Sequence, residues 1–415
     1  MAPGARSTLH VHRSAFVIFL AFAATAFSQT AREGLWREDA TQAVNFVISK
    51  HPGLFTNVPR DQFEEERNAL LAHIPDKSDA QILLGLQRLL ALARDGHTSI
   101  SLFQNRTPLR CVPLRFYWFA DGIYVTDAGA GFASAFGERL LRVADMPVDA
   151  AVSKLKQFIS HENDWWVRSQ SPLLLSSPEA LFGAGITAAE SGPVLFLFED
   201  ASGGTFSLSI DAATAPLFSQ PHKARPNPPL YRRFPERYYW FEYFEASRTI
   251  YIKYNSCQNS PILSMRAFVE EMGMFAESNP IERAVIDVRN NQGGDSSVIK
   301  PITDSLAQAI AAGVIAKDKL FVIIGRDTYS SGLWTAMDFK RLGASLVGES
   351  TGNSPSHFGN VSSFVLPNSS LVVRLAGLVF PISQAQASRL TFRQNSAPPT
   401  SLASGTPPSP PFSSK

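Results

Sequence analysis

Two places in this chain pair residues that can do acyl-transfer chemistry with a backbone that can support it. An apolar run at 284–288 breaks into a polar turn, Arg289-Asn290-Asn291-Gln292, followed by two adjacent glycines, Gly293 and Gly294. A second apolar run at 320–324 breaks into Thr328-Tyr329-Ser330-Ser331-Gly332, where a helix begins at once. Tight small-residue turns at a helix start leave backbone N–H groups unpaired and pointing outward, which suits a developing negative charge. A serine on one turn and a glycine pair on the other offer a nucleophile and an oxyanion hole. Glycine allows close approach of a reacting oxygen to the backbone, which a side chain would block. Spacing alone favours a plainer reading, in which Ser330 or Ser331 is an N-cap.

The order of four short motifs resembles the tail-specific (C-terminal-processing) serine peptidase family, which includes the tricorn core protease. The matching residues are Asp95-Gly96-His97-Thr98, Asp287-Val288-Arg289-Asn290-Asn291-Gln292-Gly293-Gly294, Thr328-Tyr329-Ser330-Ser331-Gly332 and Gly348-Glu349-Ser350-Thr351-Gly352. The resemblance implies the spiral ββα core shared with the crotonase and Clp-type folds. It implies Ser330 as the nucleophile, with Ser331, Gly293 and Gly294 lending N–H groups to the oxyanion hole. It makes His97 the general base, as in the histidine-using, tricorn-core-like branch, because a serine hydroxyl is a weak nucleophile until a base takes its proton. His357 is the competing histidine and is read as a substrate-side or structural residue. Asp287, Arg289 and Asn290 are read as scaffold that holds the glycine turn. The reaction implied is cleavage of a peptide or protein substrate through an acyl-enzyme, with no cofactor.

The chain also departs from that pattern. The lysine that lysine-using members place after the serine is missing, so a Ser–Lys dyad is not expected. Leu333 stands where many members have glutamate. The histidine-using branch needs a late acid to orient its base, yet residues 350–415 contain no Asp or Glu. The third triad member is therefore unassigned, and any orienting group must come from earlier in the chain or be uncharged. A frameshifted or degenerated ending would explain this. The alternative reading is a catalytically impaired relative that binds peptides or small ligands. An unrelated ester hydrolase has little support, since no G-x-S-x-G elbow surrounds Ser330.

The elements that must position these residues follow from periodicity. Helices are expected at 38–49, 60–74 and 79–94, the last with Asp79 as N-cap and a C-terminus that would favour a protonated His97. Strands at 115–118, 122–126 and 139–143 and a helix at 149–159 read as a mixed, PDZ-like region. From 248 onward, strands at 249–254, 284–288, 320–324 and 344–347 alternate with helices at 264–278, 297–312 and 332–342, which argues for an α/β layer. A hairpin at 362–375 closes it. The expected organisation is a signal peptide at 1–28, an N-terminal helical domain at 31–106, the PDZ-like mixed α/β region at 107–213, a proline-rich connection at 214–247, the catalytic α/β core at 248–388 and a disordered tail at 389–415.

Composition sets the outer bounds. With 415 residues, 45% of them hydrophobic and 18% charged, the chain can bury a large core. A net charge of +2 gives no reason to expect nucleic acid. Basic residues before an apolar stretch at 15–27, with small residues at Ala24, Ala26 and Ser28, read as a secretory signal and hence a secreted or periplasmic protein. The rival is an uncleaved anchor; once the signal is cut, no stable membrane insertion is expected. The two cysteines, Cys111 and Cys257, can pair once or stay buried as thiols. The eight histidines show no H-x-x-E-H spacing, so no metal is expected. The oligomeric state is left open.

Overall fold

The computed structural model describes residues 9–103, 108–212 and 228–381, with side chains from Gln29 onward. The tail at 389–415 and the first part of the proline-rich stretch, 214–227, lie outside the described residues. Four parallel strands in the order Ser345–Gly348, Leu320–Ile324, Arg283–Asp287 and Thr249–Tyr254 form the sheet that carries both small-residue turns. The strand Thr249–Tyr254 is buried along its whole length. Both faces are covered, which is why these strands read as continuous apolar runs. The helices Met265–Ser278, Lys300–Ala311 and Ser331–Arg341 pack through Phe268, Ile302 and Phe339 against Ile252, Ile286 and Val322 on one face. Trp240, Tyr251 and Val285 pack on the other.

The edge of this sheet departs from the expected organisation. Tyr239–Phe244, placed by sequence in the proline-rich connection, is a strand that pairs antiparallel with Thr249–Tyr254. Its aromatic side chains make it a good strand, and Tyr239 and Trp240 are buried. Neighbouring prolines and arginines masked that signal.

The antiparallel sheet between 114 and 210 runs Leu114–Trp118, Ile123–Ala128, Arg139–Val143, Val194–Glu199 and Thr205–Ile210, with Met146–Pro147 beside the third strand. Helices Val148–Leu155, Asp164–Leu175 and Pro178–Gly183 accompany it. The sequence reading gave neither of the last two helices. Ahead of this sheet, Leu9–Lys50 is one helix of 42 residues, continuous through the expected signal boundary. Among the described residues no helix is long and apolar enough to cross a membrane.

The helix Asp79–Ala91 is capped by Ser78, whose hydroxyl accepts from the Gln81 N–H while Gln81 returns a bond to the Ser78 N–H. This capping box displaces Asp79 from the expected cap to the first turn. The terminal hairpin, His357–Val365 with Val372–Phe380, pairs with Ser99–Ile100 rather than with the parallel sheet. Its Leu366, Leu371, Val373 and Leu375 belong to the same hydrophobic core as the N-terminal helices and the antiparallel sheet. The C-terminal end of the expected catalytic core is thus folded onto the N-terminal half of the chain.

Asp39 fastens this arrangement. Its buried carboxylate accepts from the backbone N–H groups of Asn368 and Ser369, at 3.0 and 2.8 Å, across the hairpin turn. Losing a buried charged acceptor leaves those donors unpaired. Asp39→Ala should lower unfolding stability by roughly 2–3 kcal/mol, read from urea denaturation. A loss below about 0.5 kcal/mol, the scale of an ordinary surface change, would mean that Asp39 does not hold the hairpin.

Candidate active site

The two turns meet at the C-terminal ends of neighbouring strands and lock to each other. Thr328 donates its hydroxyl to the Val288 carbonyl at 2.9 Å, and the Tyr329 N–H donates to the Asn291 carbonyl at 2.9 Å. The Ser331 hydroxyl donates to the Gly294 carbonyl at 2.6 Å. Squeezed between these bonds, Ser330 adopts φ 52° and ψ −125°. A non-glycine residue held there stores on the order of 1–3 kcal/mol of strain. A side chain on Gly293 would stand 2.7 Å from the Ser330 Cβ, so only glycine lets the turns come this close.

Ser330 and Ser331 therefore differ. Ser330 occupies the N-cap position of Ser331–Arg341 but makes no side-chain capping bond, and it is partly exposed. Ser331 is buried, and its hydroxyl is taken by Gly294. Ser331 is also the first helical residue, so no helical carbonyl takes its N–H. The glycines differ too. The Gly293 N–H donates to the Asn291 side chain at 2.8 Å. Cys257 bonds to the Gly293 carbonyl and accepts from the Asp295 N–H, passing over the N–H of Gly294.

Asp287 anchors the glycine turn from below. Its fully buried carboxylate pairs with Lys253 at 3.2 Å and Arg289 at 2.9 Å, and accepts from Tyr251 at 2.7 Å. Burial works against this charge, but Arg289, Lys253 and Tyr251 outweigh it and hold the carboxyl below its usual range. Asn290 accepts from Lys253 at 3.2 Å. Sequence reading had no role for Lys253. On the opposite side, Glu349 of the Gly348-Glu349 motif pairs with buried Arg326.

His97 arrives from the other half of the chain. The helix Asp79–Ala91 ends well before it, and Arg94 at φ 50° redirects the chain. Gln87 on that helix accepts from the Ile100 N–H at 2.8 Å, which seats the strand Ser99–Ile100. The His97 ring is buried between Tyr329, tilted against it at 4.7 Å, and His357, stacked on it at 5.7 Å, and Trp166 stacks on Tyr329 at 4.1 Å. The Nδ1 edge faces the Tyr329 hydroxyl at 3.4 Å and Asp95 Oδ1 at 3.7 Å. Nε2 is buried with no hydrogen-bond partner. His97 thus lies against Tyr329, the residue before Ser330, but no hydrogen bond joins His97 to Ser330 among the described residues. His357 turns Nδ1 to the Ser354 carbonyl at 3.0 Å, and burial pushes its pKa below the usual histidine value.

Three groups surround His97, and two of them, His51 and Glu162, carry no sequence signature. Asp95 is buried and accepts from the His97 N–H at 2.9 Å, Thr98 Oγ1 at 2.6 Å and His51 Nε2 at 3.3 Å. His51 Nδ1 accepts from the Gly53 N–H, so its proton sits on Nε2 and points at Asp95. Burial raises the Asp95 pKa, but the bonds from His51, His97 and Thr98 prevail and keep it ionised. Glu162 is the second acid, bonded to the Gly96 N–H at 3.2 Å and to Asn353 at 2.7 Å. Asp95, His97 and Glu162 bring their ligand atoms within 4.8 Å of one another, so they are the residues that could hold a cation. Motif spacing cannot find such a set, since its members are assembled through space. Both carboxylates already accept several protein hydrogen bonds. Cys111 and Cys257 are buried free thiols, the former pushed up to about 11 by burial.

Burial and the nearby Asp95 charge push Glu162 up to about 8, from an ordinary 4.5. The native protein therefore keeps a proton there that the unfolded chain releases. Stability should fall as pH rises between those two values and level off above the higher one. Glu162→Gln should flatten that decline, as measured by denaturation across the range. An unchanged pH slope would show that Glu162 titrates normally.

No protein-family model matches the sequence, and no curated relative matches it. Solved structures do. Mature CPAF aligns with 83% of this chain and 89% of its own at 12% identity and a TM-score of 0.55. CPAF complexed with lactacystin aligns with 83% and 90%, at the same identity and TM-score. The photosystem II D1 C-terminal processing protease aligns with 82% and 87% at 15% identity, with a TM-score of 0.39 that adds no weight. The chain has the α/β fold of mature CPAF.

Proposed function

We propose that this protein is an exported serine peptidase of the histidine-using, tricorn-core-like type, in which Ser330 forms an acyl-enzyme and His97 is the general base. One observation carries the reading: Ser330 is held at positive φ on a strand-to-helix turn, with no side-chain cap, while its neighbour Ser331 is tied to Gly294. Strain of this kind persists only where the surrounding structure enforces it, and it gathers at reactive positions. The Ser331 N–H at the helix start, together with the N–H of Gly294, would receive the oxyanion. Asp95 lies on the Nδ1 side of His97, which would place the proton there and leave Nε2 as the basic end. This acid comes from earlier in the chain, one of the sources that the sequence left open for an orienting group. Catalytic bonds are often long in a free enzyme and tighten with substrate. Export rests on the basic-then-apolar pattern of residues 1–28.

A catalytically impaired relative that binds peptides or small ligands is the second reading. It is favoured by the lack of a His97–Ser330 hydrogen bond and by the Tyr329 ring against which His97 packs.

Hydrolysis of a fluorogenic peptide library separates the two. The first reading expects turnover that Ser330→Ala abolishes and that His97→Ala lowers about 10²–10⁴-fold, with Ser331→Ala retaining part of it. Turnover that survives Ser330→Ala would remove the nucleophile assignment. A wild-type protein that binds peptides without cutting them would establish the second reading.

A further inference from the structure

Ser330 and His97 lie on segments far apart in sequence, and one pair of side chains joins them. Asn353 accepts the Ser330 N–H on its side-chain oxygen. A backbone amide can only donate, so this bond fixes which way the Asn353 amide faces. Its NH₂ group must then point at Glu162, and it donates to Oε2 at 2.7 Å. The other Glu162 oxygen accepts the Gly96 N–H at 3.2 Å, one residue before His97. The line from Ser330 N–H through Asn353 and Glu162 to Gly96 N–H has only one self-consistent polarity.

Both members of the pair are held in place. Asn353 is 1% exposed, and its carbonyl accepts from Thr351 Oγ1 at 2.8 Å. Asn163, next to Glu162, donates to the carbonyls of Thr351 and Gly352 at 3.3 and 3.0 Å while capping the helix Asp164–Leu175. The loops at 160–163 and 351–353 are thereby bolted together over Tyr329. None of these residues touches the reacting atoms. What they restrain is the amide of the one strained residue on the turn and the loop that presents the base.

We infer that Glu162 and Asn353 are a positioning pair for the reaction, holding Ser330 in its left-handed conformation and fixing its turn against the His97 loop. The inference rests on the serine-peptidase reading for its catalytic consequence, whereas the restraint on the Ser330 amide stands apart from it.

The polarity supplies the test. Glu162→Gln keeps the shape, but its amide group must face either the Asn353 NH₂ or the Gly96 N–H, so two donors collide. In alkaline buffer, where Glu162 has released its proton, Asn353→Asp sets a second carboxylate against it. Combined, the two substitutions restore a consistent line. The carboxylate introduced at position 353 accepts from both the Ser330 N–H and the amide introduced at 162, whose oxygen accepts from Gly96.

Two readouts are needed, both in alkaline buffer: hydrogen–deuterium exchange at the Ser330 amide, and the rate of fluorophosphonate labelling. Each single variant should exchange that amide about tenfold faster or more and label about tenfold slower or more, the scale of one lost charge-assisted bond. The double variant should return both rates to within about threefold of wild type, the spread expected of imperfect additivity. A role in bulk stability alone would not give this reciprocal rescue. If a single variant does not fold, the folded double variant still decides by its two rates. Single variants that exchange like wild type, or a double variant no better than the worse single, would overturn the inference. Unlabelled wild-type protein would count against the peptidase reading, and exchange would still decide the pair.

Discussion

The rest of the site depends on the interlock between the turn after residue 287 and the turn after residue 324. Parallel pairing of Arg283–Asp287 with Leu320–Ile324 brings the two turns side by side. Three bonds, from Thr328, Tyr329 and Ser331, then pull them together. Neither glycine could carry a side chain here. One on Gly293 would strike Ser330, and one on Gly332 would stand 2.3 Å from the Asn291 carbonyl. The strain at Ser330 is the local result of this closeness, and the buried Asp287–Lys253–Arg289 group beneath keeps the glycine turn from relaxing. Removing one partner from such a buried pair leaves an uncompensated charge, so the group is costly to break.

His97 is placed by a different principle. No strand of the parallel sheet pairs with its segment. The strand that follows it, Ser99–Ile100, is added to the terminal hairpin, and that hairpin is seated on the N-terminal core by Asp39 and by stacking of Phe364 on Phe46. The two halves of the chain then close over Tyr329, which sits between the rings of Trp166 and His97. Burial, with Glu162 and Asp95 close by, pushes the Tyr329 hydroxyl well above its usual value, so it stays neutral. A neutral hydroxyl can sit beside the imidazole without adding a charge to an already crowded acidic cluster.

What the sequence revealed was local. Strands of the parallel sheet were legible because burial on both faces writes a continuous apolar run, and the turns because Gly293, Gly294 and the serine pair punctuate those runs. The 239–244 strand was hidden because composition averaged over its proline- and arginine-rich surroundings overrode its five aromatic strand formers. The hairpin was found but given the wrong neighbours, since pairing across more than 250 positions leaves no trace in periodicity. For the same reason His51, Glu162 and Asn353 went unassigned. Each is an ordinary polar residue in a loop, and only the fold gives it a partner. Asp95 was in view as part of a motif, but its bond to His51 was not.

The central claim is that this fold prepares Ser330, and no other hydroxyl, as a nucleophile. The most direct measurement is to treat the intact protein with a fluorophosphonate and map the adduct by peptide mass spectrometry. The account predicts a single phosphonylated residue, Ser330, whose modification is lost on prior unfolding in urea. An adduct on Ser331 or elsewhere, or equal labelling of folded and unfolded protein, would contradict it.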